Sequence, residues 1–271
     1  MRKSTSFLTL ACLAAAGTFA ASDREHETLA RARQLQMQFR EGNLQVVGPL
    51  VKDLESAVAR SPGNADLWEA LGNAYMSQQG SMYASKPDPA ALIAVGTRAR
   101  DAYARALAMD PENALLMASH GMAGMSIASL GQDGPGLMSS VEEMNAAVRR
   151  APNSTPVRLT RGFTIIHLPV AMRDTTAVTD DLKFVLQTAP GGRPEDVLHV
   201  LLGDVYAETG ALEDARREYA QVSGASRFAA DQAKSRLVDL EKGAVPPASI
   251  RMVRSGTGTR CAMCHTPGSD S

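Results

Sequence analysis

The chain is expected to be all-α, a stack of antiparallel helical pairs, and three features of the sequence predict this. Aromatic residues fill only 4% of the 271 positions while Ala, Leu and Met are plentiful, a mixture that suits packed helices better than sheets. A spacing recurs along the chain: Leu71-Gly72-x-x-Tyr75 returns as Leu202-Gly203-x-x-Tyr206. Prolines at 62, 111, 152 and 190 each follow a helix-compatible stretch and mark where a helix must stop.

Taken in order, the elements begin with an export signal over residues 1–20. Arg2 and Lys3 give it a positive start, Phe7 to Ala16 an apolar run, and Thr18-Phe19-Ala20 a small-residue cleavage site. The run is too short to span roughly 30 Å of hydrocarbon, so cleavage is favoured over an uncleaved anchor. A lipoprotein cysteine at Cys12 is the less favoured alternative, because Thr9 stands where such signals usually carry Leu. No later stretch approaches 18 consecutive apolar residues, so no transmembrane span is expected in the mature chain.

A first helix is expected over roughly residues 24 to 41, and a second carries Leu50, Leu54 and Ala57 before Pro62. The next pair is the most explicit. Trp68, Leu71, Gly72 and Tyr75 precede Ala99, Tyr103, Ala106 and Pro111, with a turn-rich insertion of about fifteen residues, SQQGSMYASKPDPAAL, between them. A weaker pair runs from ALLMASHGMAGM across GQDGPG to Ser140, Met144, Ala147 and Pro152; another opens at PVRLTRGF, with Gly162 as its small residue. The cleanest copy is VLHVLLGDVYAETGALEDARREYAQV, and a capping helix follows at about Ala229 to Glu241.

These spacings resemble the tetratricopeptide repeat, a helix-turn-helix unit of ~34 residues. The resemblance covers residues 22–242, about four to five repeats, and implies a right-handed superhelix whose first helices line a concave side that binds a protein or peptide. Carried onto this chain, the partner groove takes Met76, Leu115, Ala118, Met122, Met125, Leu159, Phe163, Ile166 and His167, with polar ends at Asp66, Glu69, Asn73 and Asp204. An exposed apolar surface rich in Met suits an adaptable interface, and ordinary core packing is the equal alternative. Met117, His120, Met122 and Met125 are soft ligands by type, but helical spacing divides them between two faces, so core packing explains them better than a metal site. His26 and His199 are singletons with structural or solvent-facing roles.

A net charge of −1 and a pI near 6.5 leave no basic stripe for nucleic acid. No strand is available to carry a phosphate loop, a dinucleotide fingerprint or a hydrolase triad, so no enzymatic activity is expected.

Residues 243–260 read as a Pro/Gly/Ser linker, and residues 261–271 as a tail with one explicit motif: Cys261-Ala-Met-Cys264-His265. Once the signal is removed with Cys12, these are the only two of the chain's 3 cysteines left. C-x-x-C-H is the attachment signature of c-type haem: Cys261 and Cys264 form thioethers to the two vinyl groups, and His265 falls beneath the iron as proximal ligand. Chance, a Cys261–Cys264 disulfide and a zinc site are the competing readings; the disulfide lacks a redox-domain context and zinc lacks further ligands. The resemblance to cytochrome c ends at this pentapeptide, so one covalent haem c per chain needs cover from the repeat array, another copy or a partner. His167 is the candidate distal ligand, with Met252, Met122 and Met125 as rivals. The expected protein is thus exported or periplasmic, binds a partner in its groove, a redox protein among the candidates, and takes part in electron transfer. A haem-free scaffold for assembly, of cytochromes for example, is the alternative.

Overall fold

In a computed structural model of the chain, residues 23–39, 43–83, 87–168, 172–188 and 192–244 are described. The signal at 1–20, most of the linker, Met252 and the Cys261–His265 motif lie outside the described residues.

The described residues form α-helices without a strand. The helices are α1 (23–39), α2 (Val47–Arg60), α3 (Ala65–Met82), α4 (Pro89–Met109), α5 (Ala114–Gly131), α6 (Gly134–Arg150), α7 (Thr155–Ile165), α8 (Thr175–Thr188), α9 (Gly192–Glu208), α10 (Leu212–Ala220) and α11 (Arg227–Glu241). Contacts run between consecutive helices: α3 packs on α4, α5 on α6, α7 on α8 and α9 on α10, while α5 also meets α7 and α11 closes the array against α9 and α10.

The junctions between pairs are built alike. Ser61, Asp110 and Ala151 end α2, α4 and α6 with nearly the same backbone, φ −131 to −132° and ψ 66 to 74°. Each precedes a proline, which disfavours helical backbone at the residue before it. Each donates its backbone N–H to a small buried residue one turn back: Ala57, Ala106 or Ala147. The next helix then opens on Asn64, Asn113 or Ser154 in extended conformation; the two asparagine side chains accept from first-turn amides. The proline carbonyl finds a donor at each of these three junctions, from Trp68, Arg150 and Arg158 respectively.

Within a pair, a glycine of the first helix faces one large side chain of the second. A Cβ on Gly72 would stand 2.6 Å from the Tyr103 ring, one on Gly203 2.4 Å from Tyr219, and one on Gly121 2.9 Å from Met144. The tyrosines need an acceptor, and the residue after the glycine supplies it: Tyr103 Oη donates to Asn73 and Tyr219 Oη to Asp204. Met144 needs none, and there the residue after the glycine is Met122.

The α7/α8 pair departs from this plan. Gly162 faces Asp181, which is fully buried and shared by two guanidiniums. Arg161 reaches both its oxygens, at 2.6 and 2.9 Å, and Arg158 reaches one at 3.0 Å. Arg161 also donates to Asn145 of α6, tying the pair to its neighbour. A second buried pair lies beyond it: Arg173 donates to the Ile166 carbonyl and to Glu208.

Two expected surface insertions are taken up differently. SQQGSM continues α3 to Met82, and Asp88-Pro89 starts α4, so most of the predicted loop is helix. Gln79 holds the lengthened ends together, donating to the Leu92 carbonyl at 2.9 Å and accepting from Ser126 Oγ at 2.9 Å. GQDGPG is a tight reversal in which Gln132 adopts φ 55°, and Asp133 then caps α6.

Candidate functional site

The expected partner groove is assembled from α3, α5, α7 and the turn after α7, and its residues do not form one continuous wall. Met76 packs on the N-terminal core, Leu115 belongs to a small central cluster with Ala118, and Met122 and Phe163 pack on the C-terminal core. Met125 at 6% exposure and Ile166 at 0% are inside that core, and Ala118 is buried in the central cluster, so none of the three presents a side chain to a partner. α7 packs directly on α5, and Met125 and Ile166 join one cluster with Ile165, Val178 and Leu182. Leu159 is the one expected groove residue that is exposed, at 37%.

The polar ends expected of the groove also differ from the sequence reading. Asn73 and Asp204 are used internally as tyrosine acceptors, and Asp204 further receives Arg236 Nε at 2.9 Å with both side chains buried. Asp66 and Glu69 remain in reach of a partner at the N-terminal end. Glu69 is held above the usual carboxylate range, first by burial and then by the charges of Asp66 and Asp110. Beside it an open cleft of about 490 Å³ is lined by Glu25, Ser61, Gly63, Asn64, Ala65 and Asp66. Glu25 lies below its ordinary range because Ser61 and Asn64 donate to it.

His167 lies in the turn after α7, edge-on to Phe163 with ring centroids 5.7 Å apart and planes at 85°. Burial, and then the positive charge of Arg173, push its pKa down to about 4. The ring is therefore an uncharged imidazole near neutrality, the form that can ligate a metal. Met122, Phe163 and the buried Leu168 belong to the same apolar cluster. The structure thus brings Phe163 and His167 together, packs Met122 and Phe163 on the C-terminal core, and leaves Met76 and Leu115 on other clusters. Cys261, Cys264 and His265 lie outside the described residues.

The other histidines are engaged in cross-helix pairs. His120 bonds Glu143 at 2.7 Å, and His199 bonds Glu218 at 2.8 Å with Glu195 nearby. Among the described residues no group of three or more His, Cys, Asp or Glu side chains is placed to hold a metal ion. Sequence reasoning missed Asp181 with Arg158 and Arg161, and Arg173 with Glu208; the spacing Arg158-x-x-Arg161 was the available signal. The helix α5 is long and apolar enough to cross a membrane by composition; 44% of it is buried, and it packs against α4, α6 and α7.

No family model and no curated protein matches the sequence. Among solved structures the chain is similar to a thermophilic tetratricopeptide-repeat protein from Thermus thermophilus, with a TM-score of 0.58 and 16% identity over 79% of this chain and 99% of that one. With the paired helices, repeated junctions and glycine–large contacts above, this likeness gives the fold as an all-α array of the tetratricopeptide-repeat type.

Proposed function

We propose that this chain is an exported repeat scaffold that binds a protein or peptide partner and carries one covalent c-type haem on its C-terminal tail, through which it takes part in electron transfer. The scaffold half of this reading is supported by the fold, because arrays of this type commonly serve as protein-interaction platforms. The haem half is carried by one observation: Cys261-x-x-Cys264-His265 uses every cysteine left after signal removal, in the spacing haem attachment requires. Cys261 and Cys264 are assigned the thioethers and His265 the proximal position. His167 is assigned the distal position, supported by its uncharged imidazole and its place beside Phe163. Of the rivals, Met122 is half-buried in the same cluster and Met125 is closed into the core.

Expression in a host with a cytochrome c maturation system tests the reading. The expected product has the mass of the signal-cleaved chain plus one haem and a covalent haem spectrum, both lost in Cys261→Ala/Cys264→Ala. Protein that carries no haem under those conditions leaves the haem-free scaffold, which the fold supports by itself. An unchanged low-spin spectrum in His167→Phe removes the distal assignment alone.

A further inference from the structure

The GQDGPG reversal borders a cleft that the groove does not use. The lengthened start of α4, the end of α5, and the GQDGPG reversal into α6 enclose a cleft of about 160 Å³. Its walls are Ile93 and Arg100 from α4, Ile127 and Ala128 from α5, and Asp133 and Ser139 at and beyond the reversal. Its floor is glycine: Gly124, Gly131 and Gly136 line it.

The floor explains how Arg100 reaches the cleft. A Cβ on Gly124 would stand 2.6 Å from Ser140 Oγ and 3.4 Å from Arg100 Nε, so the guanidinium lies against the bare backbone of α5. Its neighbours on the same helix are engaged: Arg98 with Glu55 and Tyr75, Arg105 over the Trp68 ring. Arg100 is half-buried and has no carboxylate or carbonyl partner among the described residues. Asp133 lines the same cleft without forming an ion pair with it, its Oδ1 accepting the Gly136 amide at 3.0 Å. That amide is therefore already used, and the cation facing an incoming group is Arg100.

A half-buried guanidinium without a protein partner, in a cleft that a carboxylate and two isoleucines also line, matches a small amphipathic ligand. The volume is below the roughly 300 Å³ at which drug-sized pockets begin. We infer that this cleft binds an aliphatic carboxylate of amino-acid size, its carboxylate on Arg100, its apolar body between Ile93 and Ile127, and an ammonium group, when present, toward Asp133. Charge-assisted pairing fixes the carboxylate end, and the apolar walls reject larger polar ligands. The assignment is independent of the haem tail.

The mature full-length protein, labelled at isoleucine methyl groups, is titrated with L-leucine, N-acetyl-leucine and leucinamide while the Ile93 and Ile127 signals are followed by NMR. The two carboxylates are expected to shift both signals saturably, and leucinamide is not. Leucine binding more tightly than N-acetyl-leucine identifies a free amino acid; equal binding keeps the Arg100 site and identifies a chain end. Arg100→Met is expected to weaken binding by about tenfold to a hundredfold, the worth of one charge-assisted bond. Gly131→Leu supplies a block independent of the core, because a Cβ there meets nothing within 4 Å, and it is expected to abolish the shifts in a folded protein. The inference is overturned if leucinamide binds as well as leucine, if no carboxylate moves the two isoleucines, or if Arg100→Met leaves the affinity unchanged.

Discussion

Replacing Asp181 by asparagine keeps the shape of the side chain and removes the charge that Arg158 and Arg161 share. Asp181 is fully buried, whereas the two arginine side chains keep 20% and 12% of their surface exposed. Breaking a buried ion pair by removing one partner costs about 3–5 kcal/mol, because the remaining charge is stranded in a poorly solvated place. Water still reaches part of both guanidiniums and relieves some of that penalty, so the expected loss is about 2–3 kcal/mol. At the slope of ~2 kcal/mol per molar urea common for domains this size, the unfolding midpoint followed by helical circular dichroism should fall by about 1 M. The register of the repeats adds a second arm. Asp181 occupies the place held by Tyr103, Met144 and Tyr219 in the other pairs, so Asp181→Met combined with Arg158→Met and Arg161→Leu should restore most of the midpoint, as apolar replacement of buried ion networks often does. If Asp181→Asn shifts the midpoint by less than about 0.3 M, or the triple variant is weaker than the single one, the account of this pair is wrong.

Gly203→Ala should destabilise by about 1–2 kcal/mol, since the methyl meets the Tyr219 ring at 2.4 Å, whereas Gly80→Ala, which meets nothing within 4 Å, should stabilise by about 1 kcal/mol; thermal midpoints moving in the same direction would refute the close-packing argument. His167, whose folded pKa of about 4 lies below the ordinary value of 6.5, releases a proton on folding anywhere between those limits. Its contribution is therefore fully present above pH 6.5 and is lost as the pH falls toward 4, on the order of 3 kcal/mol in all. In the haem-free Cys261→Ala/Cys264→Ala protein, His167→Gln should flatten the fall in melting temperature between pH 7 and 4.5, and a slope identical to that of the same protein with His167 would remove His167 as its source.

The sequence displays the fold wherever a residue type is forced by geometry. Gly72 with Tyr103 and Gly203 with Tyr219 are legible because only a missing side chain admits a ring that close, and Pro62, Pro111 and Pro152 because each ends a helix. The loop expected over residues 77–92 is mostly helix instead: Ser, Gly and Pro suggest turns, but Asp88-Pro89 is equally a helix start and Gln79 secures the extension. The site is less legible. Asn73 and Asp204 look like groove residues by helical position, and their use as hydroxyl acceptors depends on Tyr103 and Tyr219, which are distant in sequence. Met125 and Ile166 share the composition of a contact surface and of a core, and only the tertiary packing that closes the C-terminal cluster over them decides between the two.

The matching backbone at Ser61, Asp110 and Ala151 makes these three points interchangeable seams. A segment cut at one seam and rejoined at another carries its own stop signal, its own cap and its own internal glycine contact, so residues 110–150 form a cassette whose removal breaks only cross-pair ties such as Gln79–Ser126 and Asn145–Arg161 and the helix faces beside them. Lengthening or shortening such an array by a whole cassette moves the chain's end along the stack without disturbing the junction geometry. Whatever the C-terminal residues carry could in this way be set at different distances from a partner held at the other end.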